Sequence, residues 1–149
     1  MIQMKNVYKK YPNGVVATNG ISVDIKQGEF VYVVGPSGAG KSTFIKLMYR
    51  EEKATSGEVI VNGINLTTIR NNAVPKFRRQ LGVVFQDFKL LPRLTVYENV
   101  AFALEVIEES PKIIRKRVMD VLELVGLSHK ARMFANELSG GEQQRVSIA

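Results

Sequence analysis

Phe30-Val31-Tyr32-Val33-Val34-Gly35-Pro36-Ser37-Gly38-Ala39-Gly40-Lys41-Ser42-Thr43-Phe44-Ile45 is the stretch on which the fold turns. Its first five residues are apolar at successive positions, so both faces of a strand built from them would need cover. That predicts a central strand of a parallel sheet. From Ser42 to Tyr49 the pattern becomes helical, with Phe44, Leu47 and Met48 on one stripe. Between strand and helix lies Gly35-Pro36-Ser37-Gly38-Ala39-Gly40-Lys41-Ser42, which fits G-x-x-x-x-G-K-[ST]. Glycines let the backbone curl until successive N–H groups point at one anion. The helix start adds unpaired donors and positive dipole. Lys41 supplies a point charge for terminal phosphates, and the Ser42 hydroxyl is a ligand for Mg²⁺. The expectation is a P-loop that binds a nucleoside triphosphate through Gly35 to Thr43, within an α/β fold.

Toward the N-terminus, Val7-Tyr8 and Ile21-Ser22-Val23-Asp24-Ile25 read as strands joined by a Tyr11-Pro12-Asn13-Gly14 turn. Beyond the loop, Glu58-Val59-Ile60-Val61 and Ile64-Asn65-Leu66 flank Asn62-Gly63, the favoured pair for a tight hairpin. Gly82-Val83-Val84-Phe85 is expected to be a further short strand. From Val96 to Gly126 the sequence is mostly helical. Ser110 stands as N-cap before Pro111, and Ile114, Val118, Val121, Leu122 and Val125 form an apolar stripe. Gly126 suits the residue that ends that helix. A last helix starts at Ser139, whose spacing to Glu142 is that of a capping box.

The 149 residues suffice for one core. Apolar residues at 45% and charged residues at 23% place the chain among globular proteins. Without cysteine it has neither a disulfide framework nor a Cys-ligated metal. No apolar run reaches membrane-spanning length, and the first residues lack the apolar region of a signal peptide. The net charge of +7 admits anionic partners. Lys76-Phe77-Arg78-Arg79 and Lys112 with Arg115-Lys116-Arg117 are the basic clusters, read as solvated faces or as contacts for acidic lipid. No nucleic-acid motif accompanies them, so nucleic acid is not an expected partner.

Leu138-Ser139-Gly140-Gly141-Glu142-Gln143-Gln144-Arg145 narrows the class. Two glycines after a capping serine leave N–H groups open at a helix start, a second anion-seeking end in one chain. Here the sequence resembles the ABC transporter ATPase family, whose signature is this segment. The resemblance runs from the N-terminal strands to Ala149. It implies ATP and Mg²⁺ as ligands and a head-to-tail homodimer. Each ATP would lie between the P-loop of one copy and Ser139, Gly140, Gly141 and Glu142 of the other. It implies that Tyr11 stacks on adenine, with Tyr8 as rival. It implies that Gln86, at the end of Gly82–Phe85, is a catalytic amide alongside Lys41 and a Mg²⁺ contact alongside Ser42.

Within the family the likeness is to the ATPases of cell division. It rests on the P-loop stretch, Met48-Tyr49-Arg50-Glu51, Val74-Pro75-Lys76-Phe77-Arg78-Arg79 and Gly82-Val83-Val84-Phe85-Gln86-Asp87-Phe88-Lys89-Leu90-Leu91-Pro92. ATPases of lipoprotein release and macrolide export share much of this, and a nucleotide-gated clamp without appreciable hydrolysis is the other alternative. The cell-division likeness implies an integral-membrane partner and a peripheral position on the cytoplasmic face of the membrane. The expected architecture is a P-loop core with an N-terminal antiparallel β subdomain and a helical subdomain from about 90 to 139. Residues 1–149 would form one partial ATP-binding domain. The family's second acidic motif, catalytic glutamate and switch histidine have no match here. Asp87 reads as a loop acid and His129 as a surface histidine. The chain is therefore expected to be an amino-terminal portion, inactive by itself.

Overall fold

The computed structural model describes residues 1–149. They form two compact units, Met1–Leu81 and Gly82–Ala149.

The first unit is a four-stranded antiparallel sheet with helices. Strands β1 (Ile2–Lys10), β2 (Val16–Ile25), β3 (Ser56–Val61) and β4 (Ile64–Asn65) lie in the order β2-β1-β3-β4. Helix α1 (Lys41–Met48) follows the glycine-rich loop, and α2 (Val74–Arg78) closes the unit. The expected turn forms between β1 and β2, with Gly14 donating its N–H to the Tyr11 carbonyl at 2.9 Å. Asn62 and Gly63 have φ of 48° and 79°. Both are left-handed, as a type I′ hairpin requires.

In β1, Met4 and Val7 are both buried although they are three residues apart. Strict alternation would turn one of them outward. A bulge at Asn6 (φ 49°) resets the register, so that Met4 pairs with Val23 and Val7 with Ile21. The Asn6 N–H is satisfied by the Ser22 hydroxyl at 2.9 Å. The inner face, Met4, Val7, Val59 and Val61, packs with Phe44 and Leu47 of α1, Leu66 and Phe77. This burial fixes α1 beside the sheet.

One basic cluster is partly structural. Arg78 donates from Nε to the Tyr49 carbonyl at 3.0 Å and from Nη2 to the Arg50 carbonyl at 3.1 Å. A cation thus satisfies carbonyls just past the C-terminal end of α1.

The expectation of a covered central strand at Phe30–Val34 is not met. These residues form no strand, and Phe30, Tyr32 and Val34 are 81%, 78% and 85% exposed. A parallel strand exists through the neighbours that pair with it. None of the other residues runs alongside this segment, and the sheet that forms has only antiparallel pairs. Gly82–Phe85 is likewise not a strand.

The second unit is helical: α3 (Val96–Glu105), α4 (Pro111–Leu124) and α5 (Gly140–Ile148). Val96, Val100 and Ala101 of α3, Ile114, Val118 and Leu122 of α4, and Val146 of α5 close one core with Leu127 and Leu138. Ser110 is the N-cap of α4, as its position before Pro111 predicts, but its side chain makes no capping bond. Gly126, with φ of 72°, follows the C-cap Val125. Thr95 caps α3 and exchanges bonds with Glu98, from Thr95 N–H to Oε2 at 2.7 Å and from Glu98 N–H to Thr95 Oγ1 at 3.2 Å. No helix is long and apolar enough to cross a membrane.

Candidate functional site

The glycine-rich loop is held by glycine geometry and by a close approach to β2. Gly38 and Gly40 have φ of 80° and 88°. A Cβ on Gly40 would lie 2.0 Å from the Ala17 carbonyl oxygen, inside van der Waals contact. Only glycine lets the loop pass this close to β2. Gly40 is also the N-cap of α1. The first helical bond runs from Phe44 N–H to the Gly40 carbonyl at 2.8 Å. The N–H groups of Lys41, Ser42 and Thr43 therefore precede the helical ladder, as donors at the positive end of α1. The Lys41 ammonium donates to the carbonyls of Gly35 and Pro36, each at 2.7 Å. The lysine is thereby folded back over its own loop, and the Ser42 side chain is exposed.

Tyr11 stands beside this loop. Its hydroxyl is 3.1 Å from Thr43 Oγ1, and the Lys9 ammonium lies 4.9 Å from its ring centroid. Lys9 is in turn held by Glu52 at 2.7 Å and the Lys53 carbonyl at 3.0 Å. A cleft of about 290 Å³ opens between Tyr11, Val15 and Ala17 on one side and Ser37, Gly38 and Gly40–Thr43 on the other. Tyr8, the rival aromatic, packs over Gly20 instead, with its hydroxyl where a Gly20 Cβ would come within 2.9 Å. Val15 and Ala17 were not among the residues the motif pointed to. Val15, 54% exposed between the turn and β2, carries no local pattern that would mark it.

Ser139, Gly140, Gly141 and Glu142 lie together in the second unit, at the start of α5. Glu142 Oε2 accepts from both the N–H and the hydroxyl of Ser139 at 3.0 Å. Its other oxygen accepts from the Lys130 ammonium at 2.6 Å. These contacts, the lysine first and the Ser139 backbone next, hold the Glu142 carboxyl down at about 2. The amides of Gly140 and Gly141 precede the ladder, whose first members are Glu142 and Gln143 N–H on the Ser139 carbonyl. Gln143 donates to the carbonyls of Ala135 and Leu138 at 2.9 and 3.2 Å, which anchors the preceding loop. Lys130 was not anticipated, because no motif joins it to Glu142. Gln86 is exposed in a turn of the second unit, beside Asp87, which pairs with Lys89 at 2.6 Å. His129 is exposed in the 3₁₀ turn Ser128–Lys130.

The pattern of the ABC transporter family matches residues 18–149. The chain belongs to the ABC transporter family. It is 70% identical over 149 residues to "Cell division ATP-binding protein FtsE" of Bacillus subtilis (strain 168), covering all of this chain and 65% of that one. The protein of the same name from Mycobacterium tuberculosis is 51% identical, again over 65% of its length. "Methionine import ATP-binding protein MetN" of Helicobacter acinonychis is 45% identical over 46% of its length. The chain thus spans about two thirds, or less, of the length of these relatives. Among solved structures, a dimeric ATP-binding cassette in a post-hydrolysis state, bound to ADP and Pi, superposes with a TM-score of 0.91 at 39% identity. It covers 99% of this chain and 67% of that one. The fold is that of an ABC ATPase cassette.

Proposed function

We propose that this chain is the ATP-binding part of an FtsE-like subunit, which couples ATP binding and hydrolysis to an integral-membrane, FtsX-like partner in cell division. The observation that carries the nucleotide reading is the cleft that places an aromatic ring, Tyr11, beside the free amides of Lys41, Ser42 and Thr43. The adenine would stack on Tyr11, with Val15 offering apolar surface. The phosphates would take the loop amides and the Lys41 ammonium.

ATP and Mg²⁺ are the cofactors of this reading. Ser42 would hold the ion, and Gln86 is proposed for it on the family resemblance alone. Bound there, Mg²⁺ would neutralise phosphate charge. Lys41 does the same from the protein side, with a cation that needs only to leave two carbonyls of its own loop. Because α5 offers a second anion-seeking end, we take two copies to pair head to tail, with the α5 start of one copy against the terminal phosphate held by the other. A dimeric cassette among the structural relatives supports this pairing. Identity of 70% to a cell-division ATP-binding protein, against 45% to a methionine importer, favours division over import. The peripheral position on the cytoplasmic face of the membrane belongs to the same reading.

The test is titration of the full-length protein with a fluorescent ATP analogue. Lys41→Ala is expected to weaken binding about tenfold or more, about 1.4 kcal/mol. Unchanged affinity would remove the P-loop from the nucleotide site.

A further inference from the structure

The α5 start contains a charge conflict. Gly140 and Gly141 offer amides to an anion, yet Glu142 places a carboxylate in the same helical turn. A carboxylate there suits a helix that binds nothing, since it complements the dipole. It also repels any phosphate that approaches the same end.

The structure shows what offsets that repulsion. Lys130 Nζ is 2.6 Å from Glu142 Oε1, and the two side chains are only 25% and 19% exposed. The other oxygen of Glu142 holds Ser139 by its amide and its hydroxyl, both at 3.0 Å. One carboxylate thus links the lysine to the serine that starts α5. Lys130 is itself firmly mounted. Its N–H donates to the Leu127 carbonyl at 2.9 Å, and its carbonyl accepts from Met133 N–H at 2.9 Å. The following segment is tied to α3, with Tyr97 N–H on the Ala131 carbonyl at 2.9 Å and Val96 N–H on the Met133 carbonyl at 2.8 Å. The ammonium is therefore delivered by the core of its own unit.

We propose that Lys130 is a positioning residue for nucleotide-driven pairing: it neutralises Glu142 and holds it on Ser139, so that the α5 start presents the amides of Gly140 and Gly141 to the phosphate of the opposing copy. The inference rests on the head-to-tail reading above. The depressed Glu142 carboxyl, owed first to Lys130, accords with this. The carboxylate stays charged at neutral pH, and its charge must be balanced there.

The experiment is dimerisation of the full-length protein, followed by light scattering, against a non-hydrolysable ATP analogue with Mg²⁺. Lys130→Met is expected to raise the analogue concentration at half-dimerisation at least tenfold, and Lys130→Arg to restore it. In a Glu142→Gln background the same Lys130→Met change is expected to cost less than twofold, because no charge is left to balance. Analogue binding to the monomer should stay within twofold throughout. An equal loss from Lys130→Met in both backgrounds would make Lys130 a packing residue and overturn the proposal. So would normal dimerisation of Lys130→Met while Ser139→Arg blocks it, an outcome that leaves the head-to-tail reading standing. Normal dimers with Ser139→Arg would instead remove that reading. Lys130→Gln serves the same comparison where Lys130→Met does not fold, and failure of both to fold would also count against the proposal.

Discussion

Gly14 and Gly40 have the same backbone φ, 88°, and differ in what surrounds them. A Cβ at Gly14 meets nothing within 4 Å, whereas one at Gly40 meets the Ala17 carbonyl oxygen at 2.0 Å. Substituting alanine at each site separates the cost of left-handed backbone from the cost of lost space. At Gly14 the conformational cost is about 1–2 kcal/mol. Stiffening of the unfolded chain returns about 0.4–1 kcal/mol of it. Gly14→Ala should therefore destabilise the first unit by roughly 1 kcal/mol. Gly40→Ala bears the same cost and must also open the contact by about 1 Å before it becomes tolerable. Overpacking of that kind costs about 1–3 kcal/mol. The expected total is roughly 2–4 kcal/mol. The shift cannot be confined to the substituted atom, because Ala17 lies in β2, between residues paired with Lys9 and Lys10. The loop must yield instead, and its amides move off a common focus. ATP affinity should fall about tenfold or more. Urea unfolding of the full-length protein gives the first quantity and titration with a fluorescent ATP analogue the second. Equal destabilisation by the two substitutions, with ATP affinity unchanged in Gly40→Ala, would refute the argument that this close approach shapes the site.

Tyr11→Ala is expected to weaken ATP and GTP binding together by about 1 kcal/mol or more, roughly fivefold, because stacking is indifferent to the base. Tyr11→Phe, which loses only the bond to Thr43, should keep most of the affinity; a larger loss from Tyr8→Ala than from Tyr11→Ala in competition titrations would reassign the stacking role. Glu142, held at about 2 against an ordinary 4.5, should contribute stability to the second unit that is fully present above about pH 4.5 and lost as pH falls through about 2. An NMR titration of its side-chain carboxyl should place the midpoint far below 4.5, and in Lys130→Met the midpoint should rise; a midpoint near 4.5 in the unsubstituted protein would contradict the ion pair.

The sequence alone made legible whatever is encoded within a few neighbouring residues. The G-x-x-x-x-G-K-[ST] run is one turn and the start of one helix, so its amides and its lysine follow from local geometry. Asn62-Gly63 announces its hairpin because both residues tolerate the φ it needs, and Ser139 and Glu142 meet because one helical turn brings them together. The apolar stripe of α4 names Ile114, Val118 and Leu122 as its buried face, since a helix fixes which residues share a side. Contacts between distant parts of the chain carried no such signal. That Tyr11 meets Thr43, 32 residues on, depends on β1 and α1 packing against one core. That Lys130 reaches Glu142 depends on how the segment after α4 is pinned to α3. That Gly40 must be glycine for reasons of space depends on a carbonyl of β2. Phe30–Val34 marks the limit from the other side. Its composition states that the segment should be covered on both faces, but pairing is a property of neighbours, and only the tertiary structure shows that no strand among these residues lies beside it.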